Sequence, residues 1–361
     1  DAKRFQKPTP AQPWTGVYSA TTTRYACPQP YVPAKPFGHQ IVERSDGGGP
    51  LYSSEECLFL NVFKPEEGSG SLRAVMVWIH GGTNLNGNSY AYDARYIVSL
   101  GDVVVVTINY RLGALGYLIG ATEEYPGNLA LYDMTLALKW VQQNAAHFGG
   151  DARLVTVFGE SSGSMAVGTL ILSPLTKGLF KRAILQSGAP NQFTGSQSAK
   201  AIGEKGLVLA AKIGCPVKLF TAAMIMACLE KANVVLLQGE VNKMAATSLF
   251  VPSFGTEFLP DNPAKLLKAG RFNTEVDLLY GNNRDEGNGV YASNPAFNPY
   301  RPVTITFPMI RVAIWKVLKA AGPILARQTN QTFQWYTRGL TEDEDEDKLR
   351  KIPARVSADQ V

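Results

Sequence analysis

From about residue 58 to residue 190, short apolar runs alternate with segments whose apolar residues recur at helical spacing. Leu58–Phe63, Val75–Ile79, Val103–Ile108, Leu154–Phe158 and Ala183–Leu185 are rich in strand formers. Several are apolar on both faces, as strands covered from above and below must be. Between them Leu131, Met134, Leu138 and Val141 recur at helical spacing behind Pro126-Gly127-Asn128, which reads as a helix start. The pattern predicts an α/β fold, a mostly parallel central sheet flanked by helices. Two further helices are expected over Ala199–Ile213 and Thr221–Ala232. A strand at Val276–Tyr280 follows the loop-like stretch Val251–Pro263, and the remainder reads as helical and irregular. Glu342 to Asp347 is an unbroken run of acids, expected to be a solvated surface segment. Neither an internal repeat nor an interdomain linker stands out, so residues 1–361 read as a single domain.

Composition narrows the class. With 361 residues, 45% hydrophobic and 18% charged, and with glycine and proline scattered, the chain is neither collagenous nor disordered. The richest apolar stretch, Val103–Ile119, is interrupted by Asn109 and Arg111 and falls short of the roughly 18 residues a membrane span needs. No transmembrane segment is expected. The net charge of +5 is dispersed, which argues against a nucleic-acid partner.

The cysteines are Cys27, Cys57, Cys215 and Cys228, with no CxxC pair, and three histidines leave few candidates for a metal cage. Buried free thiols are one reading. Two local loops, 27–57 and 215–228, are another, and by loop entropy would stabilise by about 3.5 and about 3 kcal/mol. Bridges would imply an oxidising compartment. No apolar leader precedes Asp1-Ala2-Lys3-Arg4, and Asn330-Gln331-Thr332 is a glycosylation sequon.

Three segments carry candidate chemistry. Val155-Thr156-Val157-Phe158 leads into Gly159-Glu160-Ser161-Ser162-Gly163 and then a plausible helix. Strand, G-x-S-x-G and helix form the setting of a nucleophile elbow, where side chains at the glycines would collide with neighbouring backbone. Ser161 would sit at the tip, beside helix amides that favour developing negative charge. Val77-Trp78-Ile79 ends in His80-Gly81-Gly82, similar to a loop that supplies further oxyanion amides. Gly281 to Gly287 contains Asp285 and Glu286, equal candidates from the residues alone for a carboxylate that orients a catalytic histidine.

Together these segments resemble the type-B carboxylesterase and cholinesterase family of α/β-hydrolases. The resemblance runs through Arg4-Phe5-Gln6-Lys7-Pro8, Ala26-Cys27-Pro28-Gln29, Ser54 to Val62, Asn109-Tyr110-Arg111-Leu112-Gly113, Phe148-Gly149-Gly150-Asp151, the elbow, Gln186-Ser187-Gly188 and Asp285-Glu286-Gly287. It implies Ser161 as nucleophile and Glu286 as the triad acid, with the amides of Gly82, Thr83 and Ser162 as oxyanion donors. It also implies the disulfides Cys27–Cys57 and Cys215–Cys228, and ion pairs of Arg4 with Glu55 and Arg111 with Asp133. No cofactor or metal is called for. The substrate would be a small-molecule or lipid ester, and the setting extracellular or the lumen of the secretory pathway.

Three departures qualify that expectation. Thr83 and Asn84 stand where many active members carry a third glycine and an aromatic or apolar residue. No tryptophan lies between Cys27 and Cys57, where cholinesterases place the one that binds choline. No histidine follows Glu286; the three are His39, His80 and His147. The chain therefore reads as an internal portion of such an esterase, hydrolysing esters through an acyl-enzyme, with its histidine outside this sequence. The competing reading is a non-catalytic binding or adhesion protein on the same fold, as neuroligin-like members are.

Overall fold

The computed structural model describes residues 2–22, 24–29, 53–66, 70–120, 122–192, 195–218, 221–245, 249–287, 297, 304–321, 323–341 and 343–358. They divide into two compact units, one of residues 1–191 and 195–280, the other of residues 192–194 and 281–361.

The first unit is built on a six-stranded sheet of order β1-β3-β2-β4-β5-β8. Its strands are β1 (Leu60–Phe63), β2 (Arg73–Ile79), β3 (Val104–Ile108), β4 (Gly150–Glu160), β5 (Arg182–Gln186) and β8 (Asp277–Gly281). β1 lies antiparallel to β3, whereas the β2–β3, β2–β4 and β4–β5 pairs are parallel. A small parallel pair, β6 (Gln197–Ser198) with β7 (Ser253–Phe254), stands apart from it.

The helices of this unit are α1 (Arg95–Gly101), α2 (Gly113–Tyr117), α3 (Leu129–Asn144), α4 (Ser162–Leu172), α5 (Ala199–Lys212), α6 (Ala222–Lys231), α7 (Val234–Ala245) and α8 (Pro263–Lys268). Alternate residues of the central strands feed two cores. Val75, Val77, Val104, Val106, Val155 and Val157 join the main core with Leu131, Met134, Leu138 and Val141 of α3 and Val167 and Leu170 of α4. On the other face Val105 packs with Ala94, Val98 and Met76. β3 is buried at every position, as its unbroken β-branched composition requires.

Long-range polar ties fasten the periphery. Arg111 donates to both carboxylate oxygens of Asp133, at 2.8 and 2.6 Å, with both side chains almost wholly buried. The same guanidinium donates to Gln6 O at 2.8 Å, anchoring the N-terminal segment. Arg4 pairs with Glu55 and also donates to Glu230 O at 2.9 Å. Cys27 is bonded to Cys57 and Cys215 to Cys228. Asn128, in the left-handed region at φ 55°, leaves α3 uncapped and exchanges hydrogen bonds with Ser253 instead, each at 2.7 Å.

The second unit contains α9 (Phe307–Ala321), α10 (Pro323–Ala326), α11 (Thr329–Tyr336) and α12 (Glu346–Ala358) around Ile310, Ile314, Leu318, Phe333, Leu349 and Ile352.

Several elements differ from the sequence expectation. β4 starts at Gly150, ahead of the apolar run, because Gly150 pairs with Arg73 of β2. α1 buries only Val98 and leaves Tyr96, Ile97 and Leu100 exposed, so it has no periodic stripe to read. α7 was hidden by Gly239 and the Val234-Val235 start, although Leu237, Val241 and Met244 are buried at helical spacing. The acidic run, expected as a solvated surface segment, is exposed or half-buried over residues 343–346 and ends in a helix. α12 begins at Glu346, where acids suit a helix N-terminus, and Glu346 pairs with Arg350 at 3.0 Å.

Candidate active site

β4 and α4 meet at a turn too tight for side chains at its flanks. A Cβ on Gly159 would lie 2.7 Å from Gly163 C, and one on Gly163 would lie 2.2 Å from Ile79 O and 2.6 Å from His80 O. Between them Ser161 adopts φ 55°, ψ −125°, a conformation an L-residue holds only when its surroundings enforce it. The enforcement is visible: Ser161 N–H donates to Gln186 O at 2.9 Å, and Ser161 O accepts from Met165 N–H at 3.0 Å. Gly188 lies so close that a Cβ there would sit 2.4 Å from Ser161 O, and Ser164 Oγ donates to Gly188 O at 2.5 Å. The Gln186-Ser187-Gly188 segment, placed by β5, is thus a clamp on the serine turn.

The end of β2 forms the opposite wall. A Cβ on Gly81 would stand 2.7 Å from Glu160 O and 3.1 Å from Ser161 Cβ, so only glycine lets the loop lie against the serine. Leu85 and Asn86 N–H donate to Gly82 O at 3.0 and 3.1 Å, closing a turn. Gly82, Thr83 and Asn84 all have positive φ, at 114°, 56° and 60°. Among the described residues the N–H groups of Gly82 and Thr83 have no acceptor, whereas that of Asn84 donates to Ser162 Oγ at 3.2 Å. Thr83 Oγ1 donates to Gly82 O at 2.7 Å, which fixes its rotamer. Ser161, Ser162, Gly82 and Thr83 are therefore gathered at the C-terminal ends of two neighbouring parallel strands. A hydroxyl, two loop amides without an acceptor among the described residues and the first amide of a helix are thus brought to one edge of the sheet.

Glu286 belongs to the second unit. Its Oε1 accepts from Asn283 N–H at 2.7 Å, while Asp285 pairs with Arg284 at 2.9 Å. The two carboxylates that the sequence left equal thus have different local partners.

His80 is buried and stacked on Tyr110, with ring centroids 4.3 Å apart. Its Nδ1–H donates to Gly81 O at 2.8 Å, and Tyr110 O–H donates to His80 O at 2.5 Å. Burial, opposed by the Gly81 bond, pulls its pKa down to about 4, so the ring is neutral near pH 7. It is a packing residue of the loop. His147 is exposed in a short 3-10 turn before the start of β4. Gly150 lies opposite Arg73 and Gly159 opposite Ile79, six β2 residues apart, so at about 3.3 Å per strand residue the two ends of β4 are roughly 20 Å apart, with His147 beyond the end away from Ser161. His39 lies outside the described residues. Among the described residues, no three His, Cys, Asp or Glu side chains gather as metal ligands would. A cavity of about 240 Å³ lined by Leu172, Lys177, Leu266, Arg271 and Phe272 lies at the other end of α4 from Ser161. Asn84 and Tyr117 are joined by a side-chain hydrogen bond between distant segments, which no motif in the sequence records.

A family model described as the carboxylesterase family matches residues 1–359. The chain belongs to the carboxylesterase family. The family's α/β-hydrolase fold accords with the mostly parallel, helix-flanked sheet. Among its relatives, Acetylcholinesterase-1 of Trittame loki is 36% identical over 382 residues, 99% of this chain and 65% of that protein. Acetylcholinesterase of Danio rerio is 37% identical over 301 residues, 79% of this chain and 45% of that protein. Cholinesterase 1 of Branchiostoma lanceolatum is 40% identical over 248 residues, 65% of this chain and 68% of that protein. This carboxylesterase-family chain thus spans about two thirds or less of the length of the curated relatives it matches. None of its described helices is by itself long and apolar enough to cross a membrane.

Proposed function

We propose that this chain carries the nucleophile and oxyanion donors of a serine esterase, within a single α/β-hydrolase domain. Ser161 Oγ attacks the ester carbonyl while a histidine outside this sequence takes its proton. The oxyanion is held by the amides of Gly82, Thr83 and Ser162. Collapse breaks the bond to the alkoxy group, which leaves as the alcohol with that proton. Water, deprotonated by the same histidine, then cleaves the acyl-enzyme to the acid and free Ser161. Glu286 orients the histidine and stabilises the imidazolium as it forms. The observation that carries this reading is a serine in an enforced, strained conformation against a loop with two amides that have no acceptor among the described residues. The buried, neutral His80 and the remote His147 support placing the base elsewhere.

The substrate we propose is an uncharged small-molecule or lipid ester. The relatives' names specify acetylcholine or choline esters, but the 27–57 loop of this chain has no tryptophan to face a quaternary ammonium. Two disulfides fit an extracellular or secretory-lumen protein, with Asn330 of the sequon exposed and available for a glycan. Comparing Ser161→Ala with the parent protein on p-nitrophenyl butyrate tests the reading. Loss of nearly all turnover is expected; unchanged turnover would refute Ser161 as the nucleophile, and a parent protein without turnover would favour the binding-protein alternative.

A further inference from the structure

Thr83 and Asn84 give the oxyanion loop two consecutive non-glycine residues with positive φ. For threonine this is unfavourable, because a β-branched Cβ crowds the backbone there; asparagine is among the residues that tolerate it best. A loop under such strain keeps its amides aligned only if its neighbours over-determine it.

Asn84 is where they do so. Its N–H donates to Ser162 Oγ at 3.2 Å, which ties the loop to the first residue of α4. Its carbonyl accepts from Gly113 N–H at 2.6 Å and its Oδ1 accepts from Tyr117 O–H at 3.0 Å. Gly113 and Tyr117 are the two ends of α2, every residue of which is buried. Burial and the nearby Asp133 carboxylate push the Tyr117 pKa far up, so its hydroxyl stays a donor at any working pH. The side chain of Asn84 is itself buried. One residue therefore links the strained loop to a rigid helix on one side and to the serine elbow on the other.

We propose that Asn84 is the positioning residue of the oxyanion loop, held by Tyr117 and Ser162 so that the Gly82 and Thr83 amides stay aimed at the oxyanion. The inference rests on the esterase reading above. In place of a third glycine that would accept the backbone conformation freely, this chain uses a polar lock. Asn84 and Ser162 replace local flexibility with hydrogen bonds between segments 78 residues apart.

The test is steady-state hydrolysis of p-nitrophenyl butyrate, with inhibition by a trifluoromethyl ketone whose tetrahedral adduct carries the oxyanion. Asn84→Gly keeps the backbone conformation and the N–H but removes Oδ1. Tyr117→Phe removes the same hydrogen bond from the other end. Each is expected to lower kcat about 10- to 100-fold, since small misplacements of oxyanion donors cost this much, with KM within about threefold. Ketone affinity should fall in parallel with kcat, which a merely structural lesion would not produce. The double variant should match the single ones within about twofold, because both delete one bond. Ser162→Ala, a milder change that removes the acceptor of the Asn84 N–H, should lower kcat in the same direction. Turnover in the parent protein that survives both Asn84→Gly and Tyr117→Phe within twofold would overturn this inference alone. A parent protein without turnover would overturn the esterase reading and this inference with it.

Discussion

Gly163→Ala is the substitution whose effect the elbow geometry fixes most tightly. The added methyl would stand 2.2 Å from Ile79 O and 2.6 Å from His80 O, both backbone atoms at the end of β2. An unstrained carbon-to-oxygen contact is roughly 3.3 Å, so α4 and β2 must part by about 1 Å. Neither can give easily: β2 is paired on both sides, to β3 and β4, and α4 packs into the main core. Overpacking of this kind costs about 1–3 kcal/mol of stability. The same displacement separates Ser161 from the loop of Gly82 and Thr83, for which about a 100-fold loss of kcat is expected. The control is Gly178→Ala, at a residue of φ 80° with no atom within 4 Å of its Cβ position. It should cost about 1 kcal/mol through its backbone conformation alone and leave kcat unchanged. Urea midpoints and ester turnover, measured on both variants, separate the two effects. A Gly163→Ala enzyme with kcat within twofold of the parent would refute the argument that this contact sets the site.

Three further outcomes follow from the packing. Asp133→Ala strands the Arg111 guanidinium, of which only 5% is exposed, and should lower the unfolding free energy by about 3–5 kcal/mol in urea titrations; a loss below 1 kcal/mol would mean the pair is not the anchor it looks. His80 has a folded-state pKa depressed to about 4 from 6.5, so the unfolded chain binds the extra proton first as pH falls. Its stabilising effect is full above pH 6.5 and shrinks as pH drops toward 4, by about 2 kcal/mol at pH 5. His80→Phe should remove that share of the pH dependence of the urea midpoint, and an unchanged slope would contradict the assignment. Gly239→Ala in the middle of α7 meets no atom within 4 Å and should raise stability by about 0.5–1 kcal/mol in thermal or urea unfolding.

Much of this architecture was legible because burial on both faces leaves an unambiguous mark. Val104–Ile108 and the β4 run could hardly be anything but covered strands, and a glycine-flanked serine between such a strand and a helix admits few geometries. What could not be read are features that exist only once distant segments meet. Asn84 shows in sequence only as a departure from the family pattern and becomes a lock only when α2 and α4 bring Tyr117 and Ser162 to it. Exposed or glycine-interrupted helices such as α1 and α7 carried no stripe to detect. His80, adjacent to the loop glycines, reads in sequence as loop packing rather than as the base, and it is buried against Tyr110 and the Gly81 carbonyl.

The measurement that bears most directly on the central claim is fluorophosphonate labelling of the protein as it is made by its source, read by peptide mass. The reagent modifies only a serine whose hydroxyl is activated and whose oxyanion can be held, and it needs no knowledge of the natural substrate. The account predicts one adduct, on Ser161, lost in Ser161→Ala and slowed in Asn84→Gly. A fully folded protein that takes up no label at Ser161 would contradict it.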